Sequence, residues 1–208
     1  MGVKLAAASG GSIELVPTNT ASNFTVTVPA ATTTVVGTDT TQTLTNKTIQ
    51  GGSITQGTAV ASTSGTSIDF TSIPSWVKRI TVMFVSVSTN GSSTVLLQLG
   101  SGSPATTGYA GSCFGALASS GFGVTNYTTG FGLGADGGAG YSRLGSVVLT
   151  LQGINTWTCA GILGQNDTAR FNSVGGAIAL SGVLDRVRIT TVNGTDTFDA
   201  GSINILYE

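Results

Sequence analysis

A chain of 208 residues can bury one sizeable core and carry an extension beside it. Charged residues make up 8% of it and the formal net charge is −1, against an ordinary charged share of roughly 25%. This leaves no basic stripe for nucleic acid, since the only basic pairs are Lys78–Arg79 and Arg186 with Arg188, and no run approaches the roughly 20 apolar residues of a membrane-spanning helix.

The start, MGVKLAAASGGS, holds one lysine and a short run of small residues. A secretory signal needs a longer apolar stretch, so the reading is an unprocessed, intracellularly made N-terminus. Gly2 is present, but Ala6 stands where myristoylation prefers Ser or Thr. Ser12–Val16 and Phe24–Val28 read as strands, the second stopped by Pro29, and Thr33–Val36 follows. Residues 41–49 read TQTLTNKTI, too polar for a core and too β-branched for a helix. Such a run gains little by folding alone and suits packing against other chains. Residues 1–65 are therefore expected to be an N-terminal attachment and intersubunit β segment, with Thr41, Leu44, Asn46, Lys47 and Ile49 as its assembly residues. Gly51–Gly52, Gly57 and Gly65 punctuate its end.

Residues 66–208 differ. Val77–Val87 alternates as a long strand, with Ile80, Val82 and Phe84 on one face and Thr81, Met83 and Val85 on the other. Both faces are apolar in the middle, so both are expected to be covered, one by the domain core and the other by a second sheet or a neighbouring subunit. Asn90–Gly91 signals a turn, and Thr94–Leu99 is expected to return as the second arm of a hairpin. Residues 100–145 loosen into glycine every few residues with Tyr109, Phe114, Phe122, Tyr127, Phe131 and Tyr141 interleaved. That is too long for a plain loop, so it holds either short strands or a displayed functional loop. Val147–Leu151 and Trp157–Leu163 flank the Gly153–Asn155 turn; Leu184–Val192 places Val187 and Ile189 inward and Arg186 and Arg188 outward; Ser202–Tyr207 ends the chain. The pattern predicts an all-β fold: a jelly-roll-like β-sandwich over 66–208, eight-stranded in the preferred version. Low charge combined with Thr, Ser and Gly leaves such a surface poorly protected against edge pairing, a hazard that closed sheets or oligomers manage.

Candidate chemistry is sparse. With no histidine, the usual general base and zinc ligand are missing. Cys113 and Cys159 read as small buried residues rather than a bridge. Asp196 and Asp199 suit turn hydrogen bonding. GFGLGADGGAG lacks the following helix that a phosphate loop needs, and Asp136 or Asp167 alone makes a poor calcium site. The expectation is a non-enzyme with no cofactor and no metal. Aromatic rings with nearby polar groups are the usual apparatus for sugars, so the candidate receptor-binding residues are Tyr109, Phe122, Asn126, Tyr127, Phe131, Asp136 and Tyr141. The competing reading puts the Phe rings in the core and only Tyr tips in solvent.

GTDTTQTLTNKTI resembles the TLTNKT-type segments of bacteriophage tail-fibre and other virion fibre proteins. IPSWVKRI with VSVSTNGSSTVLLQLG, and the ending FDAGSINILYE, resemble the opening and close of a C-terminal domain of phage tail proteins. The resemblance implies a virion structural protein made in the host bacterial cytoplasm, homotrimeric, bound to other virion proteins through residues 1–65 and displaying the sandwich to a host-surface glycan. The alternative it leaves is a capsid decoration protein or head fibre. It implies no nucleic-acid partner and no membrane insertion, and it transfers no catalytic or binding motif. Unlike most tail fibres, the chain has almost no shaft, which implies a short fibre, a tip or a decoration.

Overall fold

The computed structural model of the protein describes residues 3–6, 10, 12–15, 54–117, 121–165, 167 and 169–208. The chain divides into two compact units, Met1–Thr48 and Ile49–Glu208. In the first, β1 (Val3–Ala6) and β2 (Ser12–Leu15) pair antiparallel, with Lys4 opposite Glu14. The strand expected at Ser12 is present as β2. The stretches Phe24–Val28 and Thr33–Val36, and Thr41, Leu44, Asn46, Lys47 and Ile49, lie outside the described residues.

The second unit is a β-sandwich, without a helix among the described residues. Its strands are β3 (Thr55–Gln56), β4 (Val60–Ala61), β5 (Ile68–Phe70), β6 (Arg79–Thr89), β7 (Val95–Ser101), β8 (Ser103–Pro104), β9 (Ala110–Leu117), β10 (Gly121–Tyr127), β11 (Phe131–Gly132), β12 (Arg143–Gly153), β13 (Thr156–Gln165), β14 (Arg170–Ala179), β15 (Arg186–Thr191) and β16 (Phe198–Tyr207). One sheet is nine-stranded, ordered β10-β9-β14-β13-β12-β6-β16-β3 with β4 also on β16. The other is five-stranded, ordered β11-β7-β15-β5 with β8 on β7. All pairs are antiparallel.

The pairs β6·β16, β7·β15, β9·β14 and β12·β13 nest inside one another, as in the long folded hairpin of a jelly roll. The sheets are unequal, however. β12 also pairs with β6 and β13 with β14, which draws three of the nested pairs into one broad sheet. The core lies between the sheets. Ile80, Val82, Phe84, Val147 and Leu149 of the large sheet meet Leu97, Leu99, Val187 and Ile189 of the small one, all buried. Burying each such side chain stabilises by about 1.5–3 kcal/mol.

Several expectations need correcting. Asn90–Gly91 does not close a hairpin: β6 and β7 belong to different sheets, so the turn carries the chain across the sandwich. Asp196 pins that crossing, its carboxylate accepting from Ser93 N at 2.8 Å and from Asn193 Nδ2 at 2.6 Å. No second sheet covers the outer face of β6 among the described residues, which leaves a neighbouring subunit as the expected cover. Thr81 and Met83 are half-buried and Val85 is exposed, because the outer side of the large sheet meets nothing among the described residues. The inward alternation then shifts phase at a bulge, where Ser86 (φ 52°) faces Gly201 (φ 92°). A Cβ at Gly201 would sit 2.4 Å from the Ser86 carbonyl oxygen, so only glycine permits this approach. Of the two readings offered for residues 100–145, the short strands hold: the stretch supplies β8 to β11. β3 and β4 pair with β16, so the sandwich takes in residues that the sequence pattern grouped with the N-terminal segment.

Candidate interaction face

The two sheets treat their outer faces differently. The small sheet covers its own: Leu96 and Gln98 of β7 are buried beneath the segment before β11, with Gln98 Nε2 donating to Thr129 O at 2.8 Å. Thr190 Oγ1 donates to Thr66 O at 2.9 Å in the bend that leads into β5. The large sheet has no such cover among the described residues.

Across its seven long strands (β10, β9, β14, β13, β12, β6 and β16) the charged residues are few and marginal. Arg143 and Arg170 are buried, and Arg79 and Asp199 sit at strand ends. The outer face itself is Ala, Gly, Ser, Thr and large apolar residues. Register places them in rows. One row runs Phe122, Ala116, Phe171, Gly164, Leu144 from β10 to β12. The next runs Val124, Phe114, Ser173, Ile162, Ser146, then Met83 on β6. Phe122 is 80% exposed, Val124 68%, Phe171 67% and Ile162 62%. Phe114 and Phe122 stack with centroids 5.4 Å apart at 26°.

A shallow depression of about 460 Å³ continues this face toward the other end of β9 and β10. Its walls include Ser112, Asn126, Thr128, Gly175 and Gly176. It exists because the glycines present no side chain there: a Cβ on Gly175 would meet nothing within 4 Å. A second depression of about 300 Å³ lies at the same end of the strands, between Lys78, Asn155, Trp157 and Val183.

The sequence-selected aromatic residues separate sharply. Phe122 and Asn126 are exposed on the outer face of β10. Tyr109, Tyr127 and Phe131 are buried in the core, so the rings cannot stack on a ligand as the structure stands. Tyr109 Oη accepts from Leu99 N at 2.7 Å, and its ring meets Phe131 edge-on at 4.9 Å. Burial pushes the Tyr109 phenol up to about 12. Tyr127 Oη donates to Gly134 O at 2.6 Å. Asp136 pairs with Arg170, whose guanidinium lies 5.5 Å from the Tyr141 ring centroid. Those two candidates thus belong to a polar cluster at one end of the sandwich. Arg143 lies there too, donating from Nη1 to Tyr141 O at 3.1 Å, and burial pulls it down to about 10. Nε of both arginines and Nδ2 of Asn172 have no hydrogen-bond partner among the described residues.

Cys113 and Cys159 are both buried and unbridged. Burial raises the Cys113 thiol to about 11 and raises Cys159 further still, so neither is a nucleophile at neutral pH. Among the described residues no three His, Cys, Asp or Glu side chains group as metal ligands. Asp167 instead accepts from Ser142 N at 3.3 Å, and Arg188 makes a two-pronged bond to Asp69 at 2.7 and 2.9 Å.

Sequence reasoning missed Phe114, Phe171, Ile162 and Val124 as surface residues. The available signal was strand alternation: Phe114 and Phe171 fall out of phase with buried Cys113 and Val174 on β9 and β14, as Ile162 does with Leu163 on β13 and Val124 with Tyr127 on β10. No family model, curated protein or solved structure matches the chain.

Proposed function

We propose that this chain is a self-assembling structural protein of a bacteriophage virion, a short homotrimeric tail fibre or fibre tip. The chain ahead of β3 attaches it to the particle, and the sandwich is carried outward toward a host-surface glycan. The observation that carries the reading is the outer face of the large sheet, broad, open and without charge between its margins. A soluble monomer ordinarily guards such a face with interspersed charges. A chain destined for an assembly has no need to. The TLTNKT-type segment supports the same reading from the sequence side.

For the glycan, the groove beside Asn126 offers a carboxamide and the hydroxyls of Ser112 and Thr128, groups suited to sugar hydroxyls. Asn126→Ala is the informative substitution; truncating buried Tyr127 would report on folding instead. Loss of cell adsorption with the Asn126 variant supports the glycan step, and unchanged adsorption removes it.

The assembly reading is tested by light-scattering mass of the full chain and by imaging phage particles labelled with antibody to it. A trimer found on tails is the expected outcome. Label on the head would transfer the protein to the capsid-decoration class, and a stable monomer would end the reading.

A further inference from the structure

We infer that the β10–β9–β14 part of the large sheet's outer face is the seat of a second copy of this chain, centred on Phe122 and Phe171. The inference rests on the self-assembling reading above and gives that assembly its contact surface.

The patch is contiguous. Phe122 and Phe171 both oppose Ala116 across β9, and Val124, Phe114 and Ile162 occupy the adjoining row. At about 150–250 Å² for a whole aromatic side chain, its exposed rings and aliphatic neighbours amount to several hundred Å². That exceeds what single exposed residues give a monomer. The uncharged remainder of the face extends the patch toward the roughly 800 Å² per partner of a stable interface. β10 is also the last strand of the sheet among the described residues, and it holds no charge and no proline. Nothing in it resists the approach of another chain.

Two features select a second copy over a different protein. First, an ordinary protein surface carries charges over a quarter or so of its residues. Laid on this face they would lose water and find no counter-charge. A second copy brings the same uncharged surface, and the net charge of −1 per chain opposes association weakly. Second, the rows alternate in size. Phe122, Ala116, Phe171, Gly164 and Leu144 read large, small, large, small, large across the strands. In a trimer the three copies of this face converge on the threefold axis, so ridges and hollows of one period let one copy's rings enter its neighbour's low points.

The test is sedimentation velocity of the full chain over a wide concentration range, with Phe122→Asp, Phe171→Asp and, as a control on the small-sheet side, Thr106→Asp. The wild type and the control are expected to assemble, while both Phe variants weaken association at least tenfold and keep the wild-type circular dichroism. If both Phe variants assemble normally, the seat is wrong and the self-assembling reading stands. A wild type that stays monomeric throughout overturns both. Should the Phe variants misfold, hydrogen exchange on the wild type decides: protection gained on assembly in residues 110–117, 121–127 and 170–179 supports the seat, and protection confined elsewhere overturns it.

Discussion

Phe122 and Phe171 stand opposite the same residue, Ala116, from the two sides of β9, and both rings face away from the core. Nine residues beyond Phe122, Phe131 is completely buried between the sheets. The two phenylalanines have the same chemistry and opposite energetics. Phe131→Ala is expected to cost about 3–5 kcal/mol, the range for a buried ring lost with its cavity. Phe122→Ser, measured below the concentration of self-association, is expected to stay within about 0.5 kcal/mol of wild type. Urea titrations of both variants check this, and a large loss for Phe122→Ser would place its ring in the folding core.

The thiols supply a second expectation. Cys113 and Cys159 are buried, unbridged and pushed well above the ordinary thiol range by loss of water around the thiolate. Neither is expected to react with iodoacetamide at pH 7.5 in the native protein, and both should react in denaturant. Intact-mass spectrometry reads the difference. Rapid native labelling of either cysteine would mean that the β9–β14–β13 region opens far more readily than its packing implies.

How much of this was legible in the sequence depends on which residues carried the signal. The β12–β13 hairpin could be read because Val147–Leu151 alternates and Asn155 adopts the positive φ (55°) its turn needs. Val187 and Ile189 pointed inward as their alternation demanded, and Arg186 and Arg188 found Asp185 and Asp69. The strand partners were not legible. Asn90–Gly91 has the composition of a hairpin turn, and composition cannot distinguish a turn within a sheet from one that crosses between sheets. The aromatic residues misled for a related reason. Glycine-rich sequence resembles a loop, yet here glycine is what lets rings pack against backbone, so Tyr109, Tyr127 and Phe131 are core. The exposed face could have been found only by following strand phase through β9, β10 and β14, which glycines obscure by having no side chain to mark either face.

Gly132 shows that close packing. A Cβ there would fall 2.1 Å from the Tyr127 ring, which is held in place by its hydroxyl bond to Gly134 O. Gly132→Ala therefore has to displace a buried ring and break that bond. A loss of about 2–4 kcal/mol is expected, the sum of overpacking and an unmade buried hydrogen bond. Thermal melting of the variant checks it. An unchanged melting temperature would mean that the Tyr127 ring moves freely, contrary to its burial.

Alkaline pH gives the last expectation. Tyr109 has a phenol raised to about 12 in the folded protein from an ordinary value of 10.0, chiefly by burial. Its hydroxyl also holds the amide of Leu99. The folded state keeps the proton where the unfolded chain has already released it. Stability from this group is therefore complete below pH 10 and is lost as pH rises from about 10 to about 12, by an amount on the order of 2 kcal/mol. Tyr109→Phe removes the titration and leaves the Leu99 amide unpaired, at a cost of about 1–3 kcal/mol at neutral pH. The variant is thus expected to be less stable at pH 8 but to lose less between pH 10 and 12, so the two stability curves converge. Denaturant titrations across that range test the difference. Parallel curves would show that the steep alkaline loss belongs to another group.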